Sequence, residues 1–196
     1  MIEVKANWNN KDVYKHLTQF KGSNQKAVVR SLNRIIKGAK SDASSGLRNR
    51  LNIKKTDLEK DIKIKSANYS RTVATILTIS KSKGIGLYKF GGRWTRTNKR
   101  GASFMMRKGT RKYILGSFVA TMPNQHTGIY LRSGEKTEVK SGKYKGQKRQ
   151  QLKEKFGPSS AKLMNSRFIK RVIDEHVAKN WQKEFERNLT FYLKNK

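Results

Sequence analysis

Arg71-Thr72-Val73-Ala74-Thr75-Ile76-Leu77-Thr78-Ile79-Ser80 is where the apolar pattern of this chain changes period. Val73, Thr75, Leu77 and Ile79 alternate with Thr72, Ala74, Ile76 and Thr78, and β-branched side chains dominate, which marks a strand with a preferred face. Upstream the period is helical: Val28, Leu32, Ile35, Ile36, Ala39 and Ala43 share one face at about 100° per residue, with Arg30, Arg34, Lys37 and Arg48 opposite. Those four basic residues read either as an ordinary solvent face or as one that follows phosphates. Gly22-Ser23-Asn24 offers a cap ahead of that helix, and Val13, Leu17 and Phe20 suggest a short amphipathic helix within an arm over residues 1–24. Thr56 with Glu59 three positions later reads as a capping box opening a brief helix that carries Leu58 and Ile62.

Downstream of the strand, short apolar runs at Leu87 to Phe90, Ala102 to Arg107, Tyr113 to Met122 and Gly128 to Arg132 are separated by Gly-rich or polar breaks. The expected architecture is α+β, an antiparallel sheet of four to five strands packed against a long N-terminal helix and a long C-terminal helix, as one domain over 25–193. Residues 133–155 carry eight basic and three acidic residues with almost nothing apolar, so they are expected to be a mobile loop or an arm that orders against a partner. Asn165 or Ser166 can cap the last helix. Its ladder Ile169, Ile173, Val177, Trp181, Phe185, Leu189 and Leu193 repeats every fourth residue, so each step drifts about 40° around a helix of 3.6 residues per turn. One sheet cannot cover such a stripe. Its early turns are expected to pack on the chain's own sheet, leaving Trp181, Phe185, Leu189 and Tyr192 for a subunit interface.

Charge narrows the function. The 196 residues hold 46 Lys and Arg against 13 Asp and Glu, a formal charge of +33, and from 62 to 134 there are fifteen basic residues and no acidic one. Such a block repels itself and attracts a polyanion in a salt-dependent way. Nucleic acid is the first candidate, an acidic protein the second, and a solvated basic coat the plain alternative. Around Gly91 to Gly101 four basic residues surround Trp94, which serves either as a packing anchor or as a stacking platform. The candidate DNA or acidic-partner contacts are Arg93, Arg96, Lys99, Arg100, Arg107, Lys108, Arg111 and Lys112, with Arg30 and Arg34 in second rank.

Enzyme chemistry has little to draw on. No cysteine is present, so disulfides, thiolate metal sites and a cysteine nucleophile are excluded. No Walker loop, complete dinucleotide fingerprint or HExxH helix occurs, and the acidic residues are not grouped for Mg²⁺. His126, in Pro123-Asn124-Gln125-His126-Thr127-Gly128, has no acid beside it in sequence and reads as a turn residue. No catalytic, cofactor or metal site is expected, and no segment is apolar for long enough to cross a membrane.

The order of pieces resembles the minor tail protein Z family of lambda-like phages. The resemblance rests on Ser31-Leu32-Asn33-Arg34 in a long helix, Leu51-Asn52-Ile53-Lys54 before a short one, and Phe90-Gly91 ending a strand. It continues through Gly116-Ser117-Phe118-Val119-Ala120-Thr121-Met122-Pro123, His126-Thr127-Gly128-Ile129-Tyr130-Leu131-Arg132 and Phe156-Gly157-Pro158-Ser159. It spans about residues 25 to 193, and the phrase from Ser117 to Arg132 is its specific part. The resemblance implies a virion structural component made in the host cytoplasm, not an enzyme. It further implies a homo-oligomeric ring, expected to be sixfold, at the head-proximal end of a long tail. Its partners would be the tail tube or tail terminator, the head-tail connector proteins and double-stranded DNA in the lumen. The competing class is a free, sequence-independent nucleic-acid-binding protein.

Overall fold

The computed structural model describes residues 2–4, 21–79, 84–95 and 99–194. The amphipathic helix expected at Val13, Leu17 and Phe20, and Arg96 of the basic loop, lie outside the described residues. The elements in chain order are β1 (Ile2–Val4), α1 (Lys21–Arg50), α2 (Lys55–Glu59), β2 (Ile62–Lys65), β3 (Ala74–Thr78), a 3₁₀ turn (Leu87–Lys89), β4 (Ala102–Phe104), β5 (Lys112–Ile114), β6 (Ser117–Thr121), β7 (Thr127–Glu138), β8 (Lys148–Glu154), α3 (Ser160–Met164) and α4 (Arg167–Lys194). The class is α+β. The described strands form three small antiparallel sheets, β1-β3-β2, β4-β5 and β6-β7-β8, where one sheet of four to five strands was expected.

The chain gathers into two compact units, the first made of Met1–Leu47, Leu58–Ser80 and Ser160–Lys196, the second of Arg48–Asp57 and Lys81–Ser159. In the first unit the helical face read from the sequence is the core: Leu32, Ile35, Ile36, Ala39 and Ala43 are all at most 2% exposed. The helix starts at Lys21, so Gly22, Ser23 and Asn24 lie in its first turn and not ahead of it. β3 is the central strand of its sheet, flanked by β1 and β2, which buries Ala74, Thr75 and Ile76 in succession. Asn33 ties α1 to the connection after β2, its side chain accepting from Ala67 N at 2.7 Å and donating to Ala67 O at 2.9 Å. Thr56 sits inside α2, and Glu59 accepts a hydrogen bond from Ser44 Oγ at 2.6 Å; the capping-box reading is thereby corrected.

α4 packs lengthwise on α1, antiparallel to it. A Cβ at Gly46 would touch Phe168 and Ile169, one at Gly38 would meet His176, and Ser31 reaches Glu184 O and Asn188. Ser166 directly precedes α4, and its carbonyl accepts from Lys170 N. The drift of the apolar ladder is visible in burial: Ile169 and Ile173 are buried, Val177 to Leu189 are half-buried, and Leu193 is exposed. As the ladder turns away, polar groups take over the seam. Asn188, only 2% exposed, donates to Ser31 Oγ at 2.9 Å and to Glu184 O at 2.7 Å.

The second unit departs most from expectation. Leu87 to Phe90 is a 3₁₀ turn, not a strand: Leu87 N bonds Lys155 O and the Phe90 ring is fully buried. Residues 113–122 divide into β5 and β6 around a turn at Leu115-Gly116. Residues 133–155 form a β-ribbon and not an unstructured loop, because β7 starts in the core at Gly128, Ile129 and Tyr130 and carries its ladder outward with β8.

Candidate polyanion interface

The basic loops of the second unit are held by backbone pairing. Arg93 and Ser103 exchange N–H to O bonds of 2.8 Å, Arg107 forms a bridge with Leu51, and Lys108 N donates to Arg50 O at 3.1 Å. Side chains can then project from a fixed frame. Arg93, Lys99, Arg107, Lys108 and Lys112 are exposed, and none of them makes a side-chain hydrogen bond or ion pair with the described residues. Arg107 and Lys112 also line a cleft of about 460 Å³ with Phe104, Met106 and Thr110. Arg100 is exposed and lies 6.0 Å from the Tyr113 ring centroid.

Other expected contact residues are engaged inside the fold. Arg111 donates to Ser103 Oγ at 2.9 Å, with a longer contact of 3.5 Å to Gly91 O, so it braces the loop. In the first unit Arg34 pairs with Glu184 at 3.4 Å, and Arg30 stands 4.8 Å over the Phe191 ring and 5.9 Å from that of Tyr192. Trp94 meets Phe118 edge-on at 6.4 Å and is itself 39% exposed, so the ring is both braced and accessible.

His126 is paired with an acid. Its Nε2 lies 2.8 Å from Glu154 Oε1, a carboxylate delivered from 28 residues away by β8. Sequence spacing could not show this, because the register Tyr130↔Glu154 creates the neighbourhood. Burial, and secondarily the Glu154 charge, push the Tyr130 phenol above its ordinary range. The His126–Glu154 pair ties the start of β7 to the end of β8. Among the described residues no group of three or more His, Cys, Asp or Glu side chains is placed to hold a metal ion, and no helix is long and apolar enough to cross a membrane.

Along α4, Trp181 and Phe185 stack nearly parallel at 5.9 Å, and both are half-buried, as are Leu189 and Tyr192. The exposed apolar residues here are Phe191 and Leu193, at 48% and 42%. The reading of the ladder missed Phe191, which lies off the fourth-residue spacing.

Compared with known families, residues 11–195 match the family described as prophage minor tail protein Z. This chain belongs to that family. Neither a curated protein nor a solved structure gave a match. Membership of the minor tail protein Z family makes the chain a phage tail structural protein and a virion component, so the exposed cations and the α4 ladder belong to a part that works within an assembly.

Proposed function

We propose that this minor tail protein completes the head-proximal end of a long tail. Copies of it join there in a ring, expected to be sixfold, between the tail tube or terminator and the head-tail connector. The role is structural and non-enzymatic. Arg93, Lys99, Arg100, Arg107, Lys108 and Lys112 face the end of the double-stranded genome and hold it through its phosphates, without reading sequence. Trp181, Phe185, Leu189 and Tyr192, with Phe191 and Leu193 at the margin, contact the neighbouring subunit.

One observation carries this reading. The second unit holds exposed cations on a hydrogen-bonded backbone, in a stretch from 62 to 134 that itself contains no carboxylate. A compact unit bears that repulsion at a cost, which an opposing polyanion removes. Reversing Arg93, Arg107 and Lys112 to Glu leaves their backbone bridges in place. The expected result is tails that assemble but join heads poorly or lose DNA; particles of normal infectivity would overturn the reading. Imaging the particle checks the position, since the chain must sit at the head-proximal end. Tight binding of duplex by a purified monomer that never enters tails would instead favour a free nucleic-acid-binding protein.

A further inference from the structure

The outer part of the ribbon built by β7 and β8 lies exposed beyond the core of its own unit. Beyond the pair Arg132↔Leu152, β7 bulges and resumes pairing at Lys136↔Gln150, Thr137↔Arg149 and Glu138↔Lys148. From there to the tip every residue except Val139 is exposed. A two-stranded ribbon with water on both faces is marginal by itself, yet this one closes in a defined tip. Gly146 N bonds Val139 O at 2.9 Å, Val139 N bonds Gln147 O at 3.0 Å, and Gly142 and Gly146 take left-handed φ of 84° and 82°. Arg149 covers the Tyr144 ring at 3.4 Å from its centroid.

We infer that this ribbon is a duplex-binding finger that enters the major groove. Between 136 and 149 it carries Lys136, Lys140, Lys143, Lys145, Lys148 and Arg149 against a single acid, Glu138. Side chains alternate faces along a strand, so the register puts Lys136 and Lys148 on one face, with Glu138 opposite Lys148, and Arg149 on the other, over the Tyr144 ring, with Lys140, Lys143 and Lys145 around the tip. Charge on both faces suits a partner that walls the ribbon on two sides, and a flat acidic surface would leave one set facing water. The major groove of B-form DNA is walled by phosphates on both sides and admits a two-stranded β-ribbon. At the root, where the bulge lies, Arg132, Lys153 and Lys155 line a cleft of about 490 Å³ with Ser133, Gly134 and Glu135. Lys153 and Lys155 place two further cations where a groove edge would pass, and Arg132 lies over the Phe118 ring at 5.5 Å. The ribbon is separate in sequence from the 93–112 loops, and its role in the particle rests on the proposed place beside the genome; its affinity for duplex does not.

The test uses the purified full chain and a labelled duplex of about 30 base pairs, with binding followed by anisotropy over a salt series. Changing Lys140, Lys143, Lys145 and Lys148 together to Gln is expected to lower the slope of log K against log salt by about 3 to 4, near 0.9 for each phosphate that is no longer neutralised. A control changing Lys37, Lys170, Lys179 and Lys183 to Gln removes the same charge from the helices and is expected to change the slope by less than about 1. Equal reductions in the two variants would overturn the finger, as would parent-like binding by the ribbon variant. The parent is also expected to shield guanine N7, a major-groove atom, from methylation, and the ribbon variant is expected not to. Binding without that shielding overturns groove entry, and binding of polyglutamate in preference to duplex gives the ribbon to an acidic protein. Infectivity of the Arg93, Arg107 and Lys112 reversal bears on the tail-end proposal alone, so the two can fail separately.

Discussion

The seam between α1 and α4 is decided by a glycine and a histidine. A Cβ at Gly38 would lie 2.5 Å from His176 Nε2, and His176 is held in place by Asp42 at 2.6 Å from its Nδ1. Two effects oppose each other when Gly38 becomes Ala: helix propensity favours Ala by about 1 kcal/mol, and overpacking a tight seam costs about 1–3 kcal/mol. With the imidazole pinned, overpacking wins, and Gly38→Ala is expected to destabilise the protein. In a His176→Ala background the same change is expected to stabilise it by up to about 1 kcal/mol. Denaturant unfolding of the four proteins in a double-mutant cycle measures the reversal of sign; additive effects would show that the ring does not fill the space above Gly38.

At the level of elements, α4 shows what an apolar ladder of period four does on a helix of period 3.6. Ile173 is 1% exposed and Leu193 is 42% exposed, although both belong to the same ladder. Ile173→Ala is therefore expected to cost about 2–5 kcal/mol and Leu193→Ala within about 0.5 kcal/mol in the isolated chain, as read by chemical denaturation. This drift was legible in the residue spacing, and so were the buried face of α1 and the strand at 74–78, because long periodic segments announce themselves. What lay beneath the ladder was not legible. Nothing local in Ser31, Gly38 or Gly46 says that another helix passes over them, so a sheet was the natural expectation. The four-residue run 87–90 is too short for its period to separate strand from turn. The ribbon escaped for the opposite reason: its strands are held by backbone pairing continued from a buried start, and polar side chains carry no apolar period.

For the molecule as a whole, charge dominates. The basic block was plain in the composition, and the structure sorts it: Arg30, Arg34 and Arg111 are engaged in the fold, and Arg93, Lys99, Arg107, Lys108 and Lys112 are exposed. At +33 the chain repels itself in every compact state. Screening that repulsion is expected to raise the thermal midpoint of the isolated protein as salt rises from about 0.05 to 0.5 M, over which the Debye length shortens from beyond 10 Å to a few ångströms. A midpoint that stays level or falls in scanning calorimetry would show that internal ion pairs, such as Asp57 with Lys89 at 2.6 Å, outweigh the net repulsion.

The first unit is stitched from three stretches, 1–47, 58–80 and 160–196. The ribosome therefore releases α1 more than a hundred residues before the helix that shields it exists. Until then the face of α1 that carries Leu32, Ile35 and Ile36, buried in the finished fold, lacks that helix beside it, and the nascent chain must keep an oily stripe out of trouble while its middle is still being made. Maturation of this tail part thus waits on its last few dozen codons, and a chain truncated before α4 is a natural client for a holding chaperone.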